Sequence, residues 1–123
     1  MDCEKDRKTV LIAEDEIFIR MDANYFLTEA GFDVIEAENA GEAEKHLRNS
    51  TVDVLFTDIE MPGSNLNGLE LAALVGKEWP SISVLVTSGK VIPADDERSF
   101  GFLSKPYLAR DVIAWMKKAV EQS

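Results

Sequence analysis

The chain has 123 residues, 46% of them hydrophobic and 29% charged, and a formal net charge of −10 at pH 7. This length and composition predict one globular domain with a single core. No apolar run approaches the roughly 20 residues of a membrane span, and the N-terminus lacks the apolar centre of a signal peptide. We therefore expect a cytoplasmic protein with no membrane partner. The acidic balance, without a basic patch, argues against a nucleic-acid partner.

Short apolar runs alternate with segments of helical periodicity along the chain. The apolar runs predict strands at residues 9–13, 32–37, 52–57, 83–87 and 100–103. Apolar spacings of three and four predict helices at residues 16–30, 39–50, 69–79 and 108–122; in the first, Ile17, Met21 and Tyr25 are spaced by four. Between residues 89 and 99, a proline and three consecutive acids leave room for one or two helical turns.

This alternation predicts a (βα)5 domain of the α/β class, with a parallel sheet covered on both faces and a short or irregular fourth helix. We assign residues 1–8 to a disordered tail and residues 9–123 to the domain. In open α/β sheets, sites form at the carboxyl ends of the strands. The residues that follow the strands are therefore the candidates for function.

Four of the predicted strands end in polar residues suited to phosphoryl chemistry. Glu14 and Asp15 follow the first strand, Asp58 the third, Ser88 the fourth and Lys105 the fifth. A carboxylate such as Asp58 is a feasible covalent phosphoryl acceptor when a metal offsets the charge, and Mg²⁺ prefers oxygen ligands. A lysine supplies a point charge for phosphate, and a serine hydroxyl donates a hydrogen bond. Together they predict a cleft for a divalent metal and a phosphoryl group.

The motifs at these strand ends resemble those of bacterial response-regulator receiver domains, from about residue 9 to residue 120. The matching motifs are the Glu14–Asp15 pair, the DIEMP segment at 58–62 with Gly68, the Ser88–Gly89 pair and the FLSKP segment at 102–106. The resemblance implies a flavodoxin-like, doubly wound parallel sheet with strand order 2-1-3-4-5. It also implies that a histidine kinase or histidine phosphotransfer protein phosphorylates Asp58. Phosphorylation would then switch binding to an unknown output protein.

The resemblance assigns roles to individual residues. It implies Mg²⁺ or Mn²⁺ held by Asp15, Asp58 and the backbone carbonyl of Glu60, with Glu14 acting through water. Lys105 would pair with the phosphoryl group, the Ser88 hydroxyl would move toward it, and Phe102 would follow inward. By the same resemblance Glu60 and Lys90 occupy positions that tune the lifetime of the phosphoryl bond.

Thr87 competes with Ser88 for the role of switch hydroxyl. Alternation along a strand points their side chains to opposite sides, so only one can serve. Ser88 is preferred because Gly89 follows it, and the family has a small residue after the switch hydroxyl.

The chain departs from the family pattern in three places. Glu14 stands where aspartate is common in the family, so the negative charge is kept on a longer side chain. Residues 63–67 make the loop before Gly68 longer, which is expected to alter access to Asp58. The segment between Ser88 and Phe102 is shorter than usual, so we expect altered coupling to the family's output face.

Two other functions remain open at this point. One is a receiver-like binding scaffold that works without phosphorylation. The other is a metal-dependent phosphatase with an aspartyl intermediate, because Glu60 lies two residues after Asp58, where such enzymes have a general acid. No cap domain or substrate pocket is predicted for that activity. We therefore expect a signalling domain that catalyses only its own phosphorylation and dephosphorylation.

Overall fold

A computed structural model describes residues 7–90 and 100–121. The elements in chain order are β1 (Thr9–Ala13), α1 (Ile17–Glu29), β2 (Asp33–Ala37), α2 (Ala40–Asn49), β3 (Val54–Asp58), α3 (Gly68–Glu78), β4 (Ser83–Ser88), β5 (Gly101–Ser104) and α4 (Ala109–Glu121). Their bounds lie within about two residues of the predicted ones. The predicted short fourth helix falls mostly on residues 91–99, which lie outside the described residues, as do residues 1–6 of the predicted tail.

The five strands form one parallel sheet in the order β2-β1-β3-β4-β5, which confirms the predicted α/β class and strand order. Asp58 pairs in register with Thr87, and Ser88 with Ser104. The residues predicted to carry chemistry therefore lie along the carboxyl edge of the sheet, on β1, β3, β4 and β5.

Both faces of the sheet are covered, which explains the continuous apolar runs of its central strands. On one face, α1 and α4 pack on β1, β3 and β4; the buried side chains include Ile12, Phe26, Leu27, Phe56, Leu85 and Met116. On the other face, α2 and α3 enclose a second layer that includes Leu11, Leu47, Leu55, Leu71, Val75 and Val86. The edge strands β2 and β5 are only half-buried.

Helix α1 presents its regularly spaced apolar stripe to solvent. Ile17, Met21 and Tyr25 are 52%, 53% and 68% exposed, whereas the helix buries Ala23, Phe26 and Leu27. The spacing predicts the helix correctly, but a second stripe faces the sheet. Within residues 7–90 and 100–121, no helix combines the length and apolarity needed to cross a membrane.

Candidate functional site

Asp58 ends β3 and is only 4% exposed. The first turn of α3 packs directly on its backbone. The Gly68 amide donates to the Ile59 carbonyl (3.0 Å), and a Cβ at Gly68 would overlap the Asp58 carbonyl oxygen. A reciprocal capping box between Asn67 and Glu70 fixes the start of that helix. Glycine is therefore required at position 68 for α3 to lie this close to Asp58.

Lys105 connects two carboxylates at the edge of the sheet. Its Nζ lies 3.0 Å from Asp58 Oδ2 and 3.1 Å from Glu14 Oε1. Both acids are nearly buried, and the lysine side chain is 19% exposed. The Lys105 amide also donates to the Ser88 carbonyl (2.9 Å), which fixes the chain where it leaves β5. The structure therefore joins three of the predicted site residues in one charged group.

Burial dominates the protonation equilibria of this group. It raises the pKa of Glu14 to about 7; the Glu16 amide opposes the rise, and the charge of Asp58 adds to it. Burial also raises the pKa of Asp58, against the lowering effect of Lys105. Burial alone would lower the pKa of Lys105, but its hydrogen bond to Asp58 and the charge of Glu14 raise it overall. One ammonium thus faces two carboxylates, and the group favours a further cation.

The three carboxylates among the predicted metal ligands lie together. One carboxylate oxygen from each of Glu14, Asp15 and Asp58 falls within a group whose members are all within 4.8 Å of one another. Asp58 Oδ1 is buried and has no hydrogen-bond partner among the described residues, while Asp15 is exposed and open to hydrated ions. An all-oxygen set with one solvent-facing side suits Mg²⁺, which retains several of its waters.

Glu60, two residues after β3, meets Ser88 at the end of β4. The Ser88 hydroxyl donates to Glu60 Oε2 (2.6 Å), and the Gly89 amide donates to Glu60 Oε1 (3.3 Å). The backbone amide of Lys90 donates to Ser88 Oγ (3.0 Å). The predicted switch and lifetime residues are therefore linked by hydrogen bonds, through the side chain of Glu60 and the backbone of Lys90.

Thr87, rather than Ser88, shares the α1 side of the sheet with Asp58. Leu85 belongs to the core layer under α1 and Val86 to the layer under α3, so alternation places the two hydroxyls on opposite sides, as predicted. Thr87 is 2% exposed, and its Oγ1 has no hydrogen-bond partner in the described part of the chain. Thr87 was the rejected candidate for the switch hydroxyl, but it is the one on the side of the sheet shared with the Asp58 carboxylate.

Two aromatic residues of the β5 region occupy different sides of the site. Phe102 pairs with Val86 and packs, half-buried, against the core layer of α2 and α3. Tyr107 packs against Phe56 (ring centroids 5.7 Å apart) on the α1 side, where burial raises its pKa to about 12. Tyr107 was not predicted. The sole sequence signal for it is an aromatic residue two positions after Lys105.

A hollow opens beside Lys105 on the outer surface. It has a volume of about 560 Å³, and its lining residues are Phe18, Ile19, Asp22, Lys105, Pro106 and Tyr107. Phe18 is 82% exposed, and four more large apolar residues are over half exposed: Ile17, Met21 and Tyr25 on α1, and Leu108 just before α4. These five residues are called the α1 apolar surface below.

Comparison with known proteins agrees with this arrangement. A family model described as the response regulator receiver domain matches residues 10–117. The chain belongs to this family. The predicted family is thereby confirmed, and with it a place in two-component signalling.

Curated relatives differ in how much of their length corresponds to this chain. The response regulator receiver protein CpdR of Brucella abortus is 30% identical over 116 residues, covering 90% of this chain and 95% of CpdR. The DNA-binding transcriptional regulator NtrC of Rhizobium meliloti is 29% identical over 119 residues, covering 93% of this chain. The chain spans only about a quarter of the length of NtrC and the similar regulators it matches.

A solved structure with the same fold contains Mg²⁺ and a beryllium fluoride. The response regulator protein TrrA of Thermotoga maritima, in complex with Mg²⁺ and a beryllium fluoride, is 27% identical with a TM-score of 0.77. The match covers 91% of this chain and 98% of TrrA. The Mg²⁺ and the beryllium fluoride are bound to TrrA. In this chain, the carboxylates that could hold a metal are those of Glu14, Asp15 and Asp58.

Proposed function

We propose that Asp58 accepts a phosphoryl group from a histidine kinase or histidine phosphotransfer protein in the cytoplasm, with Mg²⁺ or Mn²⁺ bound beside it. The observation that carries this proposal is the contact of Lys105 Nζ with Asp58 Oδ2 and Glu14 Oε1. The three carboxylates grouped at the same edge support the metal. Phosphorylation would then change the binding of an output protein.

The chemistry required of Asp58 is a simple displacement. An oxygen of its carboxylate attacks phosphorus, a P–O bond forms, the P–N bond to the donor histidine breaks, and the imidazole keeps that bonding pair and takes up a proton. A metal held by Asp15 and Asp58, by Glu14 through water and by the Glu60 backbone carbonyl would offset the negative charge of the phosphoryl group. Lys105 is within reach of a phosphoryl oxygen once its contact with Asp58 is exchanged.

The α1 apolar surface supports a protein as phosphodonor. Asp58 is nearly buried, so the donor histidine must enter at the open carboxyl edge while the rest of its protein rests on neighbouring surface. Phe18 and Asp22 line the hollow beside Lys105, and exposed apolar patches commonly mark protein contacts. We therefore assign the donor to this surface.

Intact-mass analysis tests the proposal directly. The wild-type chain is incubated with phosphoramidate or acetyl phosphate and Mg²⁺, beside Asp58→Asn, a chelator control and Asp111→Asn, which alters an exposed aspartate on α4. We expect one phosphoryl adduct in the wild type and in Asp111→Asn, and none in Asp58→Asn or with chelator. An adduct that persists in Asp58→Asn would refute the assignment.

The two other functions give different results in the same assay. A phosphorylation-independent scaffold would take no adduct and bind no beryllofluoride while folded and loaded with Mg²⁺. A phosphatase would turn over p-nitrophenyl phosphate. The contacts of Glu60 with Ser88 and Gly89 count against that activity, because both carboxylate oxygens already accept hydrogen bonds.

A further inference from the structure

Arg20 reaches back from α1 to the loop that carries two of the candidate metal ligands. Its Nη1 donates to the Glu14 carbonyl oxygen at 2.8 Å. Arg20 lies in the first turn of the helix, and long helical side chains point toward the preceding turn, so the guanidinium lies beside the end of β1. The arginine side chain is only 12% exposed. This contact therefore joins a largely buried cation to the peptide between Glu14 and Asp15.

A carboxylate on β2 holds the guanidinium from its other side. Glu36 Oε1 accepts from Arg20 Nε (2.9 Å), and Glu36 Oε2 accepts from Asn24 Nδ2 (2.6 Å). The Thr28 hydroxyl donates in turn to Asn24 Oδ1 (2.9 Å). Glu36 pairs in register with Ile12, whose side chain lies in the core layer under α1, so its carboxylate is on the side of this helix. Both oxygens of Glu36 are thus occupied, which fixes the orientation of the arginine.

The other polar groups of Glu14 are also bound. Its amide donates to the end of β2 (3.1 Å), Oε2 accepts from the Glu16 amide (3.1 Å) and Oε1 accepts from Lys105 Nζ (3.1 Å). Asp15 is exposed, so the direction of its carboxylate depends on the backbone on either side of it. The contact of Arg20 with the Glu14 carbonyl acts on that backbone directly.

Helix α1 begins without the side-chain cap that α2 and α3 have. Asn39 and Asn67 cap α2 and α3 by accepting from backbone amides, whereas the side chain of Glu16 makes no such bond within the described residues of α1. A helix start without a cap leaves amides unsatisfied and is less stable. Because Arg20 bonds to the backbone just before this start, it ties the first turn of α1 to the end of β1.

We propose that Arg20 is a positioning residue for metal binding and that Glu36 acts through it. The guanidinium holds the peptide between Glu14 and Asp15, so that their carboxylates stay within the group they form with Asp58. Replacement of residues that orient metal ligands from outside typically weakens metal binding roughly 10- to 100-fold. This inference rests on the proposed function, since it concerns the Mg²⁺ bound beside Asp58.

Charge and positioning predict opposite results when Arg20 is replaced. Arg20→Met removes a cation near the metal, which by charge alone would tighten Mg²⁺ binding. Loss of the bond to the Glu14 carbonyl frees the loop and weakens binding instead. We expect the dissociation constant for Mg²⁺, measured by calorimetry, to rise about tenfold. A constant equal to that of the wild type, or lower, would overturn the proposal.

Arg7→Met is the matched control. Arg7 also pairs with a carboxylate of β2, but that partner, Asp33, begins the strand, at the end opposite to the carboxyl edge. The same loss of charge should therefore leave the dissociation constant for Mg²⁺ within about twofold of the wild type. A tenfold rise in Arg7→Met as well would overturn the specific role of Arg20.

Glu36→Gln tests the same contact in a variant that keeps Arg20. Glutamine turns an N–H donor toward a place where two donors already point, so we expect the dissociation constant for Mg²⁺ to rise about threefold. In the Arg20→Met background the same substitution should have no effect, because Glu36 acts through the arginine. An equal rise in both backgrounds would mean that Glu36 acts by charge alone, and would overturn its role.

Backbone motion without Mg²⁺ provides a readout that a change of charge would not alter. The ¹⁵N order parameters of the Asp15 and Glu16 amides should fall in Arg20→Met and in Glu36→Gln, and should stay at the wild-type values in Arg7→Met. Unchanged order parameters in the first two variants would overturn the positioning role.

Failure of the two proposals can be told apart. A wild-type chain that binds no Mg²⁺ and takes no phosphoryl group removes the proposed function, and this inference with it. A wild-type chain that binds Mg²⁺ and is phosphorylated, beside an Arg20→Met variant that binds Mg²⁺ equally well, retains the acceptor function and loses only the role of Arg20.

Discussion

The two donors expected to meet a phosphoryl group are held in different ways. Lys105 has three N–H protons and contacts two buried carboxylates, so it can give up Asp58 while it keeps Glu14. Ser88 has one proton, which goes to Glu60. Lys105 can therefore exchange one contact and keep the other, whereas Ser88 must give up Glu60 before its hydroxyl can donate elsewhere.

The difference follows from burial and charge. On the lysine side, two nearly buried acids share one ammonium, and burial raises the pKa of Glu14 to about 7. On the serine side, a half-buried glutamate meets a neutral hydroxyl and an amide, and no buried charge is left uncompensated. Substitutions on the lysine side should therefore alter stability more than those at Glu60.

The largest expected effect comes from Lys105→Met, which removes the ammonium and keeps most of the stem. We expect the free energy of unfolding at pH 8 to fall by about 3 kcal/mol, because two buried carboxylates lose their cation. The pKa values of Glu14 and Asp58 rise further. Stability is then retained at low pH and lost as pH rises, so the deficit should shrink toward pH 5. Urea denaturation at both pH values measures this, and Lys77→Met on the exposed side of α3 is the matched control. An equal deficit at the two pH values would contradict the electrostatic cause.

The next effect is a gain of stability in Glu14→Gln. The pKa of Glu14 in the folded chain is raised from 4.5 to about 7, so the stabilising protonated form is fully present below about pH 4.5 and is lost as pH rises through 7. Glutamine resembles that neutral form at every pH. We expect the variant to be about 2 kcal/mol more stable than wild type at pH 8 without Mg²⁺, and equal to it near pH 4.5.

Thermal unfolding across this pH range, with and without Mg²⁺, checks the role of Glu14. Glu29→Gln on the exposed side of α1 is the matched control for removal of one negative charge. Stabilisation of the wild type by Mg²⁺ should grow from pH 6 to pH 8 and should be smaller in Glu14→Gln. A variant less stable than wild type at pH 8 without Mg²⁺ would contradict the claim that the ionised Glu14 destabilises the fold.

Most of the fold was predictable because burial on both faces leaves a plain signal in the sequence. The runs at residues 10–13 and 54–57 consist of side chains that the structure buries almost completely. Helix α1 shows the limit of this signal. It carries two apolar stripes, and spacing alone does not say that Phe26 and Leu27 face the sheet while Met21 and Tyr25 face solvent.

The site was predictable as a set of residues but not as a set of contacts. Glu14, Asp58 and Lys105 follow from strand ends meeting at one edge, and the structure joins them. The bond between Glu60 and Ser88 joins a residue just beyond β3 to the last residue of β4, 28 residues apart in sequence, and depends on the rotamer of the Glu60 side chain. The spacing of apolar residues in the sequence gives no signal for such a contact. Roles inherited from the family, among them that of Phe102, stay predictions.

The two adjacent hydroxyls of β4 should respond oppositely to removal. Thr87→Val deletes a buried hydroxyl without a partner in the described chain, and we expect a gain of about 1 kcal/mol in the free energy of unfolding. Ser88→Ala deletes the donor to Glu60, and we expect a loss of about 1 kcal/mol. Urea denaturation of both variants under one set of conditions provides the comparison. A loss in Thr87→Val would show that its hydroxyl is bonded in solution and belongs to the site.

The smallest expected effect on stability is that of Phe18→Ser. This variant distinguishes docking of the phosphodonor protein from phosphoryl transfer at Asp58. Phe18 is 82% exposed, so we expect the free energy of unfolding to change by less than about 0.5 kcal/mol. Labelling by phosphoramidate should also match wild type, since a small donor needs no docking surface. Transfer from a phosphorylated histidine phosphotransfer protein that labels the wild type should fall about tenfold, because an exposed apolar anchor is lost. An equal loss of phosphorylation with phosphoramidate and with the phosphotransfer protein would mean that Phe18 contributes to phosphoryl transfer itself. Unchanged phosphorylation with both would mean that the phosphodonor protein does not bind the α1 apolar surface.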